Sequence, residues 1–390
     1  MSGNSFHAAR SPLLLRDRPF AKNRLYFAPM GLDLCNESGT PGSEFLSQYT
    51  RFLKGGFGFG FMGNSSVDTS VGYNQRGHTL LASEQAEKLS PLFELSHHLN
   101  VPLGVQLQHY GAQGIPRTPE TPLLTPSGHV SSSTLRRVPQ AQARTMSEDD
   151  IWHIIDLFLT SARHAVHAGC RLIQIQASNG YLISSFLSPA TNTRDDEWGG
   201  TPLRRARFLV ELVRKLRQVL PDEIDVTVRI GVDDGLGEDG QFPELLEDVV
   251  PAIAEAGASA IACSVGIAET FSKFFSSPDD TIACLRKAVR LLKQNTPVPM
   301  GFTGSLTSLL QAESILESGD ADFIGFARAA LANPNLVNAD LSGFNPQQCK
   351  GDAFCFRDKR EEQATRVYCC VNPSYRRPEQ LQKKYEESRQ

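Results

Sequence analysis

The 390-residue sequence has no apolar run near the ~20 residues that a bilayer-spanning helix needs. Its N-terminus holds only the short apolar stretch Leu13–Leu15, too little for a secretory signal. Charge of one sign is lacking as well. Lys and Arg number 39 against 43 Asp and Glu, and a net charge of −4 gives no basis for a nucleic-acid or anionic-membrane surface. These absences lead us to expect a cytoplasmic chain whose partners are small molecules rather than nucleic acid or membrane. A homo-oligomer stays open.

A composition 40% hydrophobic and 21% charged describes a globular protein, and the length suits one large domain or two ordinary ones. The eight cysteines are unevenly spread. Cys170 and Cys263 lie in apolar contexts, where Cys acts as a small hydrophobe. Cys349, Cys355, Cys369 and Cys370 crowd toward the C-terminus, a grouping that in a cytosolic enzyme is more often metal-binding than disulfide-bonded.

Short apolar runs alternate with amphipathic stretches. Strands are expected at 23–30, 57–67, 102–109, 171–178, 225–232, 259–266, 298–304 and 322–329, with helices at 147–170, 243–257 and 308–319. Ser147 with Asp150 predicts an N-terminal capping box, and Gly169 predicts the end of that helix. Eight β-then-α units imply a parallel α/β architecture that closes as a (β/α)8 TIM barrel. An open doubly wound sheet is the rival, but the first strand ends in Ala28-Pro29-Met30 without the glycine fingerprint of a dinucleotide fold. Residues 111–145, rich in Pro, Ser, Thr, Gln and Arg, read as a long loop excursion after strand three. The barrel is assigned to residues 1–343 and a cysteine-containing extension to 344–390.

Catalytic groups in such a barrel lie at the C-terminal strand ends. Strand seven ends at Gly304 and strand eight at Ala327-Arg328, an arrangement suited to a phosphate. Arg229 interrupts an apolar strand, where an unpaired charge is costly; it pairs either with a carboxylate or with a ligand anion. Gln106 needs partners for its donors and its acceptor. A phosphate, an inward Arg and an inward Gln together point to flavin mononucleotide.

The segments AKNRLYFAPM, GVQLQHYG, NGYLISSFLSPATNTRDDEWGGTPLRRARF, VTVRIG, GFTGS and IGFARAALANP make the chain, over roughly residues 10 to 340, resemble the Old Yellow Enzyme family of FMN-dependent oxidoreductases. The resemblance implies that Ala28, Pro29 and Met30 pack near the flavin ring and that Gln106 bonds its pyrimidine edge. It further implies Arg229 beside N1 and O2, and Gly304, Ala327 and Arg328 at the phosphate. Tyr181 falls where that family keeps its proton donor. The implied reaction is reduction of an activated C=C bond, with hydride from NAD(P)H passed through FMN. Alternatives are a dehydrogenase or desaturase running oxidatively, and a vestigial flavin-binding subunit.

Two departures stand out. Typical members carry His with His or Asn at the end of strand four, whereas this chain has Gln176 and Asn179, neither of which can become cationic. Asp33 and Trp198 are further candidates for the cavity wall, with Asp33 equally suited to capping the turn that follows it. The tail is similar to the iron–sulfur segment of 2,4-dienoyl-CoA reductase and trimethylamine dehydrogenase. Its ligand set would be Cys349, Asp352, Cys355 and Cys369, with Asp352 in place of a thiolate and Cys370 as a substitute. A [4Fe–4S] cluster takes four Cys, so a cluster-free tail is expected, with zinc as a further option.

Overall fold

A computed structural model describes residues 6–72, 77–118, 120–357 and 366–387. Eight strands form its centre: β1 (Leu25–Phe27), β2 (Phe59–Ser66), β3 (Leu103–Gln108), β4 (Leu172–Ala177), β5 (Asp225–Asp233), β6 (Ala260–Val265), β7 (Met300–Thr303) and β8 (Phe323–Phe326). Each pairs in parallel with the next, and β8 returns to β1 with Ile324 opposite Leu25, so the sheet closes into a (β/α)8 barrel. The surrounding helices are α1 (Ser43–Lys54), α2 (Ser90–Leu99), α3 (Glu148–His167), α4 (Pro202–Val219), α5 (Val249–Glu255), α6 (Pro278–Lys293), α7 (Leu309–Glu317) and α8 (Leu336–Leu341). No described helix is long and apolar enough to cross a membrane.

Local chemistry sets the helix boundaries. Ser147 Oγ accepts from the Asp150 N–H at 3.2 Å while Asp150 Oδ2 accepts from the Ser147 N–H at 2.7 Å, the reciprocal box expected for α3. Gly169, at φ 106°, then turns the chain toward β4. The expected helix 243–257 divides: Pro243–Leu246 is 3₁₀, and α5 begins only at Val249. Pro251 explains the split. It has no N–H to donate back to residue 247, so it is tolerated only in a first turn.

Inward residues of the neighbouring strands β8, β1 and β2 help fill the base of the barrel. Tyr26 stacks on Phe59 at 4.9 Å and meets Phe61 and Phe323 edge-on. The Tyr26 hydroxyl and Thr303 Oγ1 lie 2.6 Å apart in a hydrogen bond that Gly325 makes room for, since a Cβ there would sit 2.0 Å from that oxygen. With the base filled, a large space is left at the C-terminal strand ends. The excursion after β3 folds into a parallel pair, Leu123–Thr125 with Ala143–Thr145, and a short turn of helix, Ser132–Leu135. The C-terminal extension packs back on the barrel: Asn372 Nδ2 donates to Leu331 O at 2.6 Å, and Phe356 meets Phe271 and Phe275 edge-on.

Candidate active site

A cavity of about 570 Å³ opens at the C-terminal strand ends. Pro29, Met30, Gln106, Gln176, Asn179, Tyr181, Arg229, Gly304, Ala327 and Arg328 all line it, as does Asp33. Ala28 does not. Its N–H donates to Phe326 O at 2.9 Å, and its side chain packs with Tyr26 and Phe59 beneath the cavity floor. Trp198 lies elsewhere: its ring meets Trp152 between α3 and α4, under the Arg207 guanidinium. The turn carrying it is fixed by Asn192, which donates to Trp198 O at 2.8 Å.

Arg229 reaches the cavity from β5, where its neighbours Val228 and Ile230 face the outer core. Its Nη2 donates to Ser264 Oγ at 3.0 Å, while its buried Nε has no partner. Burial pulls this guanidinium below its ordinary range, opposed among the described residues by the phenols of Tyr26 and Tyr181 and by no carboxylate. An uncompensated buried cation costs several kcal/mol unless something anionic meets it. Gln106, two strands away on β3, donates through Nε2 to Gln174 Oε1 at 2.8 Å. Its carbonyl and second N–H are what it has left for a ligand.

At the other end of the cavity, Ser305 takes φ 54° directly after Gly304. Arg328 reaches over this turn, with Nη2 donating to Ser305 Oγ at 3.3 Å and its guanidinium 4.8 Å from the centre of the Phe275 ring. The cations Arg229 and Arg328 and the inward amide Gln106 on one cavity suit a planar polar heterocycle with an anionic tail. The residues therefore fit FMN.

The end of β4 is organised by its own hydrogen bonds. Gln176 Oε1 accepts from the Ser178 N–H at 3.2 Å and from Ser178 Oγ at 2.6 Å. A backbone N–H can only donate, so this contact fixes the amide flip, and no described residue takes Gln176 Nε2. Asn179 sits at φ 63° and directs Nδ2 at Ser264 Oγ, Val265 O and Gly266 O, at 3.3, 3.2 and 3.1 Å. Its N–H groups thus tie β4 to β6. Tyr181 follows at the N-cap of Leu182–Leu187, its ring edge-on to Tyr110 at 5.9 Å.

Several lining residues escape a reading of strand ends: Tyr110, Gln113, His78, Phe271 and the pair Arg136 and Arg137. Gln113 donates to Asn179 O at 2.5 Å and so holds the turn before Tyr181. His78 is buried, bonded through Nδ1 to Ser65 at 2.9 Å, with Nε2 unpartnered. Burial drives its pKa from 6.5 to about 3, so it is neutral. His109, a strand-end residue, lies outside the cavity wall, with Nε2 3.0 Å from Asp68.

The extension gathers Cys349, Asp352, Cys355, Cys369 and Cys370 around a space of about 10 Å³ beside Arg328. That is room for about one water. Burial pushes the Cys355 thiol up to about 12 with Arg328 opposing, and burial with a hydrogen bond to Asp352 does the same for Cys370. Cys369 Sγ instead accepts backbone N–H groups of Val371 and Asn372 at 3.4 Å each. Among the described residues, no three His, Cys, Asp or Glu side chains are arranged to hold a metal. The donor set Cys349, Asp352, Cys355 and Cys369 departs from the four thiolates of a [4Fe–4S] cluster at Asp352.

Barrel, cavity and cation placement together define a TIM barrel with a site suited to a flavin. The family model described as NADH:flavin oxidoreductase / NADH oxidase matches residues 12–344, and the chain belongs to that FMN-binding family. The chain is 26% identical over 357 residues to an "NADH oxidase" of Thermoanaerobacter brockii, covering 90% of this chain and 54% of that protein. It is 30% identical over 319 residues to an "NADPH dehydrogenase" of Geobacillus sp. (strain WCH70), covering 80% of this chain and 88% of that protein. It therefore spans about half the length of the first relative and most of the second. A solved complex of 2-naphthoyl-CoA reductase superposes with a TM-score of 0.83 at 21% identity, over 95% of this chain and 57% of that one, a likeness of fold.

Proposed function

We propose that the chain takes hydride from NAD(P)H and delivers it, through FMN, to an electron-poor C=C bond of a small organic molecule. The observation that carries this reading is the convergence of Gln176, Tyr181 and the uncompensated Arg229 on one cavity. Bound there, FMN supplies the group that accepts and returns hydride. Pro29, Met30 and Gln106 would hold its ring system, Arg229 would balance negative charge on the pyrimidine edge, and Gly304, Ala327 and Arg328 would hold its phosphate.

Gln176 Nε2 donates to the substrate's activating oxygen. Asn179 keeps the Tyr181 turn in register, since its own N–H groups serve β6. The Tyr181 hydroxyl gives its proton to the α-carbon as hydride reaches the β-carbon. A placed general acid of this kind contributes about 10²–10⁴-fold. A second reading, oxidation of a biosynthetic intermediate through the same site, draws support from the neutral amide at 176, which polarises a carbonyl less than a histidinium would.

The test is Tyr181→Phe. The variant should keep bound FMN and its reduction by NAD(P)H, while reoxidation by an enone slows by about 10²-fold or more. Reoxidation at the parent rate would remove Tyr181 from the acid role.

A further inference from the structure

His109 follows β3 and is buried, and its ring is bonded at both nitrogens. The Gly111 N–H donates to Nδ1 at 3.1 Å, and Nε2 lies 3.0 Å from Asp68 Oδ2. A backbone N–H can only donate, so Nδ1 is the bare nitrogen and the ring proton sits on Nε2, facing the carboxylate. Asp68 is held in turn. Its Oδ1 accepts from the Ser70 N–H and its Oδ2 from Ser70 Oγ, both at 2.7 Å. Burial works to raise this carboxyl, but the bonds from His109 and Ser70 outweigh it and hold it down at about 2, so Asp68 only accepts.

The ring thereby fixes the 3₁₀ turn Gly111–Gln113, and that turn packs on the segment carrying Tyr181. His109 O accepts from the Leu182 N–H at 3.1 Å. Gly111, at φ 54°, lies so close that a Cβ on it would stand 2.8 Å from Leu182 Cα. Gln113 donates to Asn179 O at 2.5 Å, and Tyr110 stands edge-on to Tyr181. Tyr181 is the N-cap residue directly before Leu182, so its place follows from where Leu182 is held.

We propose that Asp68 and His109 are positioning residues for Tyr181. The carboxylate keeps the ring proton on Nε2, which leaves Nδ1 able to accept from Gly111 and keeps the turn pressed against Leu182. Neither residue lines the cavity, so both act through the backbone of the two turns. The proposal rests on the reading of Tyr181 as proton donor. A general acid must stand within hydrogen-bond reach of the atom it protonates, and a displacement of about 1 Å costs about 10²-fold.

Asp68→Asn tests this with little change of shape. Its Oδ1 must still face the Ser70 N–H, which turns the new amide Nδ2 toward His109. An N–H there donates to Nε2, so the ring proton moves to Nδ1 and opposes the Gly111 N–H. With histidine labelled at both ring nitrogens, NMR should show the His109 proton on Nε2 in the parent and on Nδ1 in the variant. In the flavin-loaded variant, stopped-flow reduction by NADPH and reoxidation by ferricyanide, which takes electrons without hydride, should match the parent. Reoxidation by cyclohexenone should slow about 10- to 100-fold. In a Tyr181→Phe background the same substitution should cost nothing further, because no phenol is left to place. His109→Asn, whose Oδ1 can still accept from Gly111, should lose less than Asp68→Asn, and its missing signal assigns the His109 resonance.

An equal loss with and without the Tyr181 hydroxyl overturns the proposal, since the pair would then act on the shape of the cavity. Unchanged reoxidation by the enone with the proton moved to Nδ1 overturns it as well. So does a parent His109 protonated at Nδ1. A parent protein that neither carries nor takes up FMN would sink the flavin reading alone, since the NMR would still report where the ring proton sits.

Discussion

Replacing Arg229 by Met should move two measured quantities in opposite directions. Among the described residues the guanidinium has one neutral hydrogen bond, to Ser264, a buried Nε without a partner and no opposing carboxylate. A buried unsatisfied donor costs about 1–3 kcal/mol, more when charged, and a Met of similar reach removes that cost. With an unfolding entropy of about 2 cal/mol/K per residue, 390 residues give about 0.8 kcal/mol/K, so 1 kcal/mol is about 1 °C in Tm. The apo variant should therefore melt about 1–4 °C higher than the apo parent. FMN affinity should fall, because a charge-assisted hydrogen bond worth about 1.5–3 kcal/mol is lost, about 10- to 150-fold in Kd. Differential scanning fluorimetry on protein stripped of flavin and a flavin-fluorescence titration measure the two. An apo variant less stable than the parent, with FMN binding unchanged, would make Arg229 a structural residue and refute the reasoning.

Gln176→His should speed reduction of a simple enone about tenfold at pH below 6.5, where a charged donor replaces a neutral amide, with the gain fading at pH 8. A flat pH profile would show that residue 176 does not touch the carbonyl. His78 is neutral and buried, with a folded pKa of about 3 against 6.5. The unfolded chain binds the extra proton between those values, so stability falls as pH drops below 6.5, by up to about 1.4 kcal/mol per unit. Chemical denaturation at pH 7 and pH 5 should show that slope reduced in His78→Gln, and an unaltered slope would count against the assignment. Iron and acid-labile sulfide measured on anaerobically purified protein should be far below one per chain; stoichiometric iron would mean that the cysteines of the extension rearrange around a cluster.

Most of the barrel was legible because its determinants are local. Alternating apolar residues specify strands, Ser147 and Asp150 cap α3, and strand ends in a closed barrel must face one way. Arg229 announced itself by breaking an apolar run. What escaped depends on contacts distant in sequence. Nothing around Arg136 and Arg137 indicates that the excursion bends back until Glu269, more than 130 positions away, is seen to hold it. Trp198 sits in a conspicuous motif, yet its turn packs against α3 rather than the cavity. Pro251 was readable as a helix breaker, and its weight over the surrounding periodicity was what the pattern alone understated.

The end of β4 shows why residue type and residue role separate. Ile173 and Ile175 pack in the outer core, so Gln174 and Gln176 must point into the barrel. Inside, Gln174 answers Gln106, and Gln176 is oriented by Ser178 two residues on. Gln176 and Asn179 look interchangeable as amides offered to a carbonyl. The bonds of Asn179 to Val265 O and Gly266 O remove it from that role, because three acceptors already share its two N–H groups. On the proposed reading, substrate polarisation at this strand end rests on a single neutral donor, Gln176 Nε2. A chain so equipped should favour substrates whose C=C bond is already electron-poor, and Gln176→His is the substitution that should relax the requirement.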